Sequence, residues 1–271
     1  MQLRGPVAAM DRELWARCKA HIRATEAADL GCAAADWDRH ELIVVPRPAK
    51  VLFPEYAVVI TSFGTGTVIS VADRYIDFVR ANPPKKHYYA FNATYVGKIA
   101  AEIERNGQPC RAGGISLGFA LADDPEPPGA PDGFRLEHMD RGWMEEWWPR
   151  NEFHNALGEP DERDWFDRLA RAFVVFDSTG EAVACTAVAE DGNGSFEIGL
   201  DVRRAWRGHH LARPVVLEAA RWVLDYGAIP YYTCGAANVR SHLVAESCGF
   251  RPLWTVTGIA RITEGVGDQS I

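Results

Sequence analysis

The chain has 271 residues, 47% of them hydrophobic and 24% charged, with a formal net charge of −8 at pH 7. That composition belongs to a folded globular protein and excludes wholesale disorder, collagen and coiled coil. The acidic balance argues against a nucleic-acid partner or an anionic membrane surface, and no apolar run is long enough to span a bilayer.

Residues Met1–Pro6 carry no apolar signal core, so the chain is expected in the cytoplasm. The six cysteines, Cys18, Cys32, Cys110, Cys185, Cys234 and Cys248, form no CxxC pair and sit mostly in apolar segments. They read as reduced, packed thiols.

In chain order, residues 10–28 favour a helix. Leu42–Val45, Tyr56–Phe63 and Thr67–Val71 are short β-branched or aromatic runs that predict strands. Asn92 is placed to cap a helix ending at Asn106-Gly107 with Ile99 and Ile103 on one face. Gly114–Leu121 reads as a closing strand. Ala122–Gly133 is rich in Pro and Gly, has no apolar period, and reads as a linker. The expected organisation is therefore a smaller α/β domain over 1–121, a linker over 122–133 and a second domain over 134–271.

The second half is better marked. Phe134–Met139 predicts a strand and Asp161–Ala172 a helix. Phe173–Phe176 and Ala182–Glu190 predict strands joined by the turn Asp177–Gly180, and Phe196–Val202 predicts another. Leu211, Val215, Ala219, Trp222, Val223 and Tyr226 form the apolar stripe of a helix, with Pro214 in its first turn and Gly227 at its end. Ile229–Cys234 predicts a strand, Asn238 caps a helix ending at Gly249, and Phe250–Ile262 holds one or two strands.

The stretch that carries chemistry is Val202-Arg203-Arg204-Ala205-Trp206-Arg207-Gly208-His209-His210-Leu211-Ala212. It joins a strand to an amphipathic helix through a loop of Arg and Gly, with Arg213 following. A helix N-terminus offers free N–H groups and partial positive charge, which suits a phosphate or pyrophosphate. A solvated basic loop is the plainer alternative.

This stretch resembles the acyl-CoA-binding motif of the GNAT superfamily of N-acyltransferases, Arg/Gln-x-x-Gly-x-Gly/Ala. Arg207 and Ala212 match the outer positions, and His210 stands where a glycine of the motif is usual. Asn238-x-x-Ser241-x-x-Val244-Ala245-Glu246-x-x-Gly249-Phe250 is similar to the family's later helix, which ends in Gly-Phe. The two motifs cover about 130 residues. The resemblance implies a mixed sheet flanked by helices. The sheet would splay between Phe196–Val202 and Ile229–Cys234 to admit pantetheine. It also implies acetyl-CoA or another acyl-CoA as cosubstrate and a small-molecule primary amine as acceptor. Leu200, Val202, Arg207, Gly208, His209, His210, Leu211, Ala212, Asn238 and Ser241 would then hold the cosubstrate. The two-part arrangement also resembles bacterial members that place this module second, including the zwittermicin-resistance type. The first half would then cover the acceptor site, mediate a homodimer, or be a degenerate copy of the second.

A protonated alkyl amine must lose a proton to attack a thioester. On Phe196–Val202, alternation puts Glu197, Gly199 and Asp201 on one face. Glu197 is the expected base, as the resemblance implies, and Asp201 the second choice. Many members carry an acidic tyrosine four residues before the Gly of Gly-Phe, where this chain has Ala245. Ser241, Ser247, Tyr231 and Tyr232 are nearby substitutes. Tyr231 and Tyr232 lie on opposite faces of one strand, so at most one points inward, with Tyr232 taken as the catalytic candidate and core packing as the plainer reading of both. A non-catalytic acyl-CoA-binding sensor is the alternative that Ala245 and His210 leave open.

Other signals have two readings each. Gly114-Ile115-Ser116-Leu117-Gly118 matches G-x-S-x-G, which needs a strand, a strained turn and a helix, or is a strand by coincidence. Phe63–Thr67 is a phosphate cradle or a hairpin turn. Trp143, Trp147, Trp148 and Trp165, with nearby acidic residues, wall a cationic acceptor site or pack a core.

Overall fold

The computed structural model describes residues 10–262. The first half contains α1 (Arg12–Leu30), β1 (Leu42–Pro46), β2 (Tyr56–Ser62), β3 (Thr67–Val71), α2 (Ile76–Ala81), α3 (Ala93–Arg105), β4 (Cys110–Ala112) and β5 (Ser116–Leu121). The second contains β6 (Arg135–Met139), α4 (Arg141–Trp147), α5 (His154–Leu157), α6 (Arg163–Arg168), β7 (Leu169–Phe176), β8 (Ala182–Glu190), β9 (Ser195–Val202), α7 (Ala212–Asp225), β10 (Ile229–Gly235), α8 (Val239–Ser247) and β11 (Phe250–Arg261). The chain divides into two units. One takes residues 10–20, 119–233 and 238–252, and the other 21–118, 234–237 and 253–262.

In the unit built mainly from the first half, β1 runs parallel to β3. β2 pairs antiparallel with β3, β11 with β2, and β4 with β11. Strand alternation gives this sheet two apolar faces. Val58, Ile60, Ile69, Val71 and Ile259 pack with Tyr75, Val79, Tyr95, Val96, Ile99 and Ile103 of the α2–α3 region. Val68, with Ile43, Val45 and Val59, packs with Ala27, Leu30 and Trp37. The expected cap is present: Asn92 Oδ1 accepts from the Thr94 N–H at 2.9 Å.

Two sequence motifs serve this packing. Gly66 closes the β2–β3 hairpin, and a Cβ there would lie 2.6 Å from the Arg39 carbonyl oxygen. Phe63–Thr67 is thus a hairpin turn. Ser116 opens a strand that continues unbroken to Leu121, and a Cβ on Gly118 would fall 2.0 Å from the Trp254 ring. The G-x-S-x-G match is a strand with a glycine that admits an indole, without the helix that a nucleophile elbow needs.

In the other unit, β10 runs parallel to β9, and β9, β8, β7 and β6 pair antiparallel in turn. Helices cover both faces of this mixed sheet. Val175, Val183 and Ala184 pack with Leu211 and Val215 of the α7 region. Ala172, Val174, Cys185 and Ala187 pack with Met144, Phe153, Ala156, Leu157 and Phe166 from the α4–α6 region. The helix expected over Asp161–Ala172 ends at Arg168. From Leu169 the chain is strand, because Leu169, Ala172 and Val174 continue an apolar run that pairs with β8. Phe250–Arg261 is one strand.

The Pro/Gly-rich stretch after β5 is strapped down at its start. The Ala122 and Asp123 N–H groups both donate to the Gly249 carbonyl, at 2.9 and 3.3 Å, and Arg221 donates to the Pro125 carbonyl and pairs with Asp124. All six cysteines are free thiols, with Cys18, Cys185 and Cys248 buried. Burial pushes Cys18 and Cys248 up to about 11 and Cys32 up to about 12, which leaves them poor nucleophiles.

Candidate active site

β9 sorts its side chains by face. Leu200 and Val202 pack beside Leu211 and Val215, and the Phe196 ring meets Trp222 and Tyr226 edge-on at 6.0 and 5.6 Å. The opposite face carries Glu197, Gly199 and Asp201, as alternation predicts. α5 lies close against it: a Cβ on Gly199 would stand 2.3 Å from the Asn155 carbonyl oxygen.

The two carboxylates on that face have different surroundings. Asp201 Oδ2 accepts from the backbone N–H groups of Asn155 and Ala156 at 2.7 and 3.1 Å, and Oδ1 accepts from the Asn155 side-chain amide at 2.7 Å. Asp201 is buried and anchors the start of α5. Burial raises its carboxyl above the usual range, against the pull of those bonds. Both its oxygens accept from α5, a different setting from that of Glu197.

Glu197 is held by side-chain hydroxyls. Thr233 donates to its Oε1, and the Tyr231 hydroxyl lies 3.3 Å from its Oε2. That hydroxyl donates at 2.7 Å to Asp191 Oδ2, and Asp191 is ion-paired with Arg168. Burial raises the Glu197 carboxyl first, and the Asp191 charge raises it further. The Thr233 bond, Arg168 and the Tyr231 bond oppose them. A half-buried carboxylate with a raised affinity for protons is suited to take one.

The β9–β10 pairing is short. Ile229, Pro230 and Tyr231 register with Ser195, Phe196 and Glu197, and the register ends there. The remainder of β9, Ile198–Val202, thus runs on past its parallel partner toward the loop before α7.

In that loop, Arg203 is tied to Glu152 and Glu181 and stands over the Trp147 and Phe153 rings, each at 5.7 Å. Arg207 Nε donates to the Val202 carbonyl at 3.2 Å, and Arg213 Nε to the Ser247 carbonyl at 3.1 Å. Gly208 has φ 90° and His210 φ 60°. The histidine therefore adopts the left-handed backbone that a glycine takes easily, and its ring is exposed. His209 packs against Trp206 at 5.5 Å. Leu211 precedes α7 without a side-chain cap. The first-turn N–H groups of Ala212 and Arg213 thus keep their capacity for an anion.

On α8, Asn238 Oδ1 accepts from the Ser241 N–H at 3.3 Å, so the expected cap is formed. The Tyr232 hydroxyl and Ser241 Oγ share a hydrogen bond of 2.8 Å, and the Tyr232 ring packs between Phe119 and Phe250. Tyr231 and Tyr232 point to opposite faces, as alternation predicts. The tyrosine beside Glu197 is Tyr231, whereas Tyr232 points to the α8 side, where Ala245 is buried. The tryptophans pack a core: Trp143 stacks on Trp147 at 5.1 Å and Trp148 on Phe166 at 4.3 Å, and Trp148 Nε1 donates to the Glu159 carbonyl.

Thr233, Asp191 and Arg168 were not expected at this site. Period-two alternation puts Thr233 on the Tyr231 face, but only the parallel register brings that face to Glu197. The sequence around Asp191 signals a turn and nothing more.

The model of the Acetyltransferase (GNAT) family matches residues 140–250. These residues are a GNAT acetyltransferase-family domain. The match contains Glu197, the Arg207–Ala212 loop and the Asn238 cap. The match ends at the Gly249-Phe250 pair that the sequence singles out. Solved structures similar to the chain include a GCN5-related N-acetyltransferase-like protein from Streptococcus suis. It is 20% identical with a TM-score of 0.46, over 63% of this chain and 69% of that one. A GCN5-related N-acetyltransferase from Kribbella flavida is 15% identical with a TM-score of 0.44, over 62% and 65% of the two chains. A tandem GNAT protein from the clavulanic acid biosynthesis pathway is 20% identical with a TM-score of 0.44, over 60% and 57%. None of the curated proteins matches the chain. Among the described residues, no helix is long and apolar enough to cross a membrane.

Proposed function

We propose that the chain is an N-acyltransferase that moves an acetyl or other acyl group from acyl-CoA to a primary amine, that of a small cytoplasmic molecule, by direct attack on the thioester. The acyltransferase domain is the second half, 134–271 as the sequence divides it. The observation that carries this reading is the end of β9. It leaves its parallel partner after three residues and leads to an uncapped helix N-terminus with Arg207 beside it.

The roles follow from the chemistry. Backbone N–H groups from Gly208 to Ala212, with His209, His210 and Arg207, receive the pyrophosphate. Leu200, Val202 and Leu211 line the way of the pantetheine. The free backbone of β9 supplies partners to its amides. Asn238 and Ser241 bond the CoA from α8. Glu197 takes the proton of the attacking amine, directly or through one water. The tetrahedral oxyanion is met by a backbone N–H. Tyr232, on the Ala245 side of β10, stands in for the family's acidic tyrosine. A CoA thiolate also leaves without help, so this is the least demanding role.

A second reading, acyl-CoA binding without turnover, rests on Ala245 and His210. One experiment orders the two. Acetyl-CoA at 100 times its Kd stabilises a folded protein by about 2.7 kcal/mol, so the chain melts several degrees higher with the ligand than without it. Thiol release with a panel of primary amines then separates an enzyme from a sensor. No shift at millimolar acetyl-CoA removes both readings.

A further inference from the structure

The Glu197 carboxylate belongs to a set of four further groups that reach it from three elements. Tyr231 and Thr233 come from β10, Asp191 from the turn between β8 and β9, and Arg168 from the end of α6. From β8 the residue in register with Glu197 is the apolar Ala189. Asp201, whose carboxyl feels His154, lies further along the same face of β9.

The Tyr231 hydroxyl has one proton and two carboxylates in reach. It lies 2.7 Å from Asp191 Oδ2 and 3.3 Å from Glu197 Oε2. Asp191 therefore has the better claim on the proton. Asp191 is itself fixed: its side chain is 4% exposed and paired with Arg168, and its N–H donates to the Ser195 carbonyl at 3.1 Å. The Arg168 guanidinium is held in turn by the Glu190 carbonyl and the Trp165 ring. Such an arrangement has little freedom to let the hydroxyl swing to Glu197.

We propose that Asp191 and Arg168 are positioning residues for the acyl transfer: they hold the Tyr231 hydroxyl turned toward Asp191, and so keep a lone pair of Glu197 open for the proton of the amine. This inference rests on the reading of Glu197 as the base. Asp191 also places a second negative charge near Glu197, which makes proton uptake easier. Arg168 opposes that charge and so limits the rise. The two residues thus act on Glu197 in opposite senses.

The test is a carboxyl titration of the full chain labelled with [5-13C]glutamate, with the resonance of Glu197 identified by its loss in Glu197→Gln. Asp191→Asn removes the charge and the better acceptor, so the Glu197 midpoint falls by about one pH unit. Arg168→Met raises it, whereas Arg168→Lys and Tyr231→Phe each leave it near the wild-type value, because the Tyr231 proton is already on Asp191; a clear rise in Tyr231→Phe overturns the proposal. Equal midpoints in Asp191→Asn and Arg168→Met, or shifts in the same direction, overturn the proposal. Tyr231→Phe, which removes only a hydroxyl, keeps the question open to an answer if an ion-pair variant fails to fold. The acidic limb of kcat/KM for CoA release from acetyl-CoA, measured with the most active amine of the panel, moves with the midpoint. If Glu197→Gln keeps full CoA release, the reading of the base fails. The titration then still decides whether the four groups are coupled.

Discussion

Glu197 and Asp201 stand on the same face of the same strand, four residues apart, and differ in the groups that hold them. Asp201 is surrounded by N–H donors of α5, two from backbone and one from an amide. Such donors cannot be withdrawn without unravelling the turn that carries them. Glu197 is surrounded by hydroxyls, and one of these prefers another carboxylate. Hydroxyls rotate about their C–O bonds, whereas backbone amides are fixed in direction by the chain. A carboxylate among amides is a structural part, and one among hydroxyls is chemically available.

The largest expected effect tests the available one. Glu197→Gln keeps the shape of the side chain and its bond from Thr233, but removes the base. General-base catalysis contributes about 10²–10⁴-fold, so kcat for CoA release falls by about 10²–10³-fold with little change in KM for acetyl-CoA. The same variant tests stability. Burial disfavours ionised Glu197, so its raised carboxyl weakens the fold above that folded-state pKa, and the penalty disappears as pH falls through it. Glu197→Gln is therefore expected to melt no lower than wild type at pH 7. A fall in Tm with kcat intact would reverse the roles of the two residues.

Asp201→Ala is the converse. It removes the acceptor of the Asn155 N–H and side-chain amide and leaves the Ala156 N–H only the Phe153 carbonyl, at about 1–3 kcal/mol for a buried group left unsatisfied. The expected result is a Tm lower by several degrees, with Glu197 still able to work in the molecules that remain folded. Thermal melts and kcat per folded molecule, measured on both variants, separate anchor from base.

Alternation alone placed both carboxylates on one face and put Tyr231 opposite Tyr232. It could not rank Glu197 above Asp201 by environment, because both environments come from elsewhere in the chain. The four-residue α5 is too short for any helical period to show. The Tyr231–Glu197 contact depends on a parallel register of three pairs between strands far apart in sequence. The strand start at Leu169 was hidden for a related reason: a charged segment with helical spacing runs directly into β7 without a breaker residue. Local signals fared better where the deciding partner is local. The Asn92 and Asn238 caps and the Phe63–Thr67 hairpin are each decided within a few residues.

The pH profile sharpens the same comparison with a smaller effect. Glu197 acts as a base only when ionised, and burial with the Asp191 charge raises its carboxyl above the ordinary value. The acidic limb of kcat/KM is therefore expected above the usual carboxylate range. Activity is lost as pH falls through the raised value and regained as it rises. Asp201 contributes no limb, because its ionisation is not part of the reaction. A limb that persists in Asp201→Ala and vanishes in Glu197→Gln assigns it. A limb that follows Asp201 contradicts the comparison.

The smallest expected effect asks whether backbone or side chain matters at the loop before α7. His210 sits at φ 60°, where a non-glycine residue costs about 1–2 kcal/mol. Replacing it by glycine removes that strain but adds freedom to the unfolded chain, worth roughly 0.5–1 kcal/mol in the opposite direction. His210→Gly is thus expected to gain between nothing and about 1.5 kcal/mol and to melt at most a few degrees higher. If the pyrophosphate is held by the N–H groups of the loop, the acetyl-CoA-induced rise in Tm survives the substitution undiminished. If that rise disappears in His210→Gly, the imidazole itself meets the phosphates, and this position would be one where a side chain has taken over what the backbone of a glycine otherwise does.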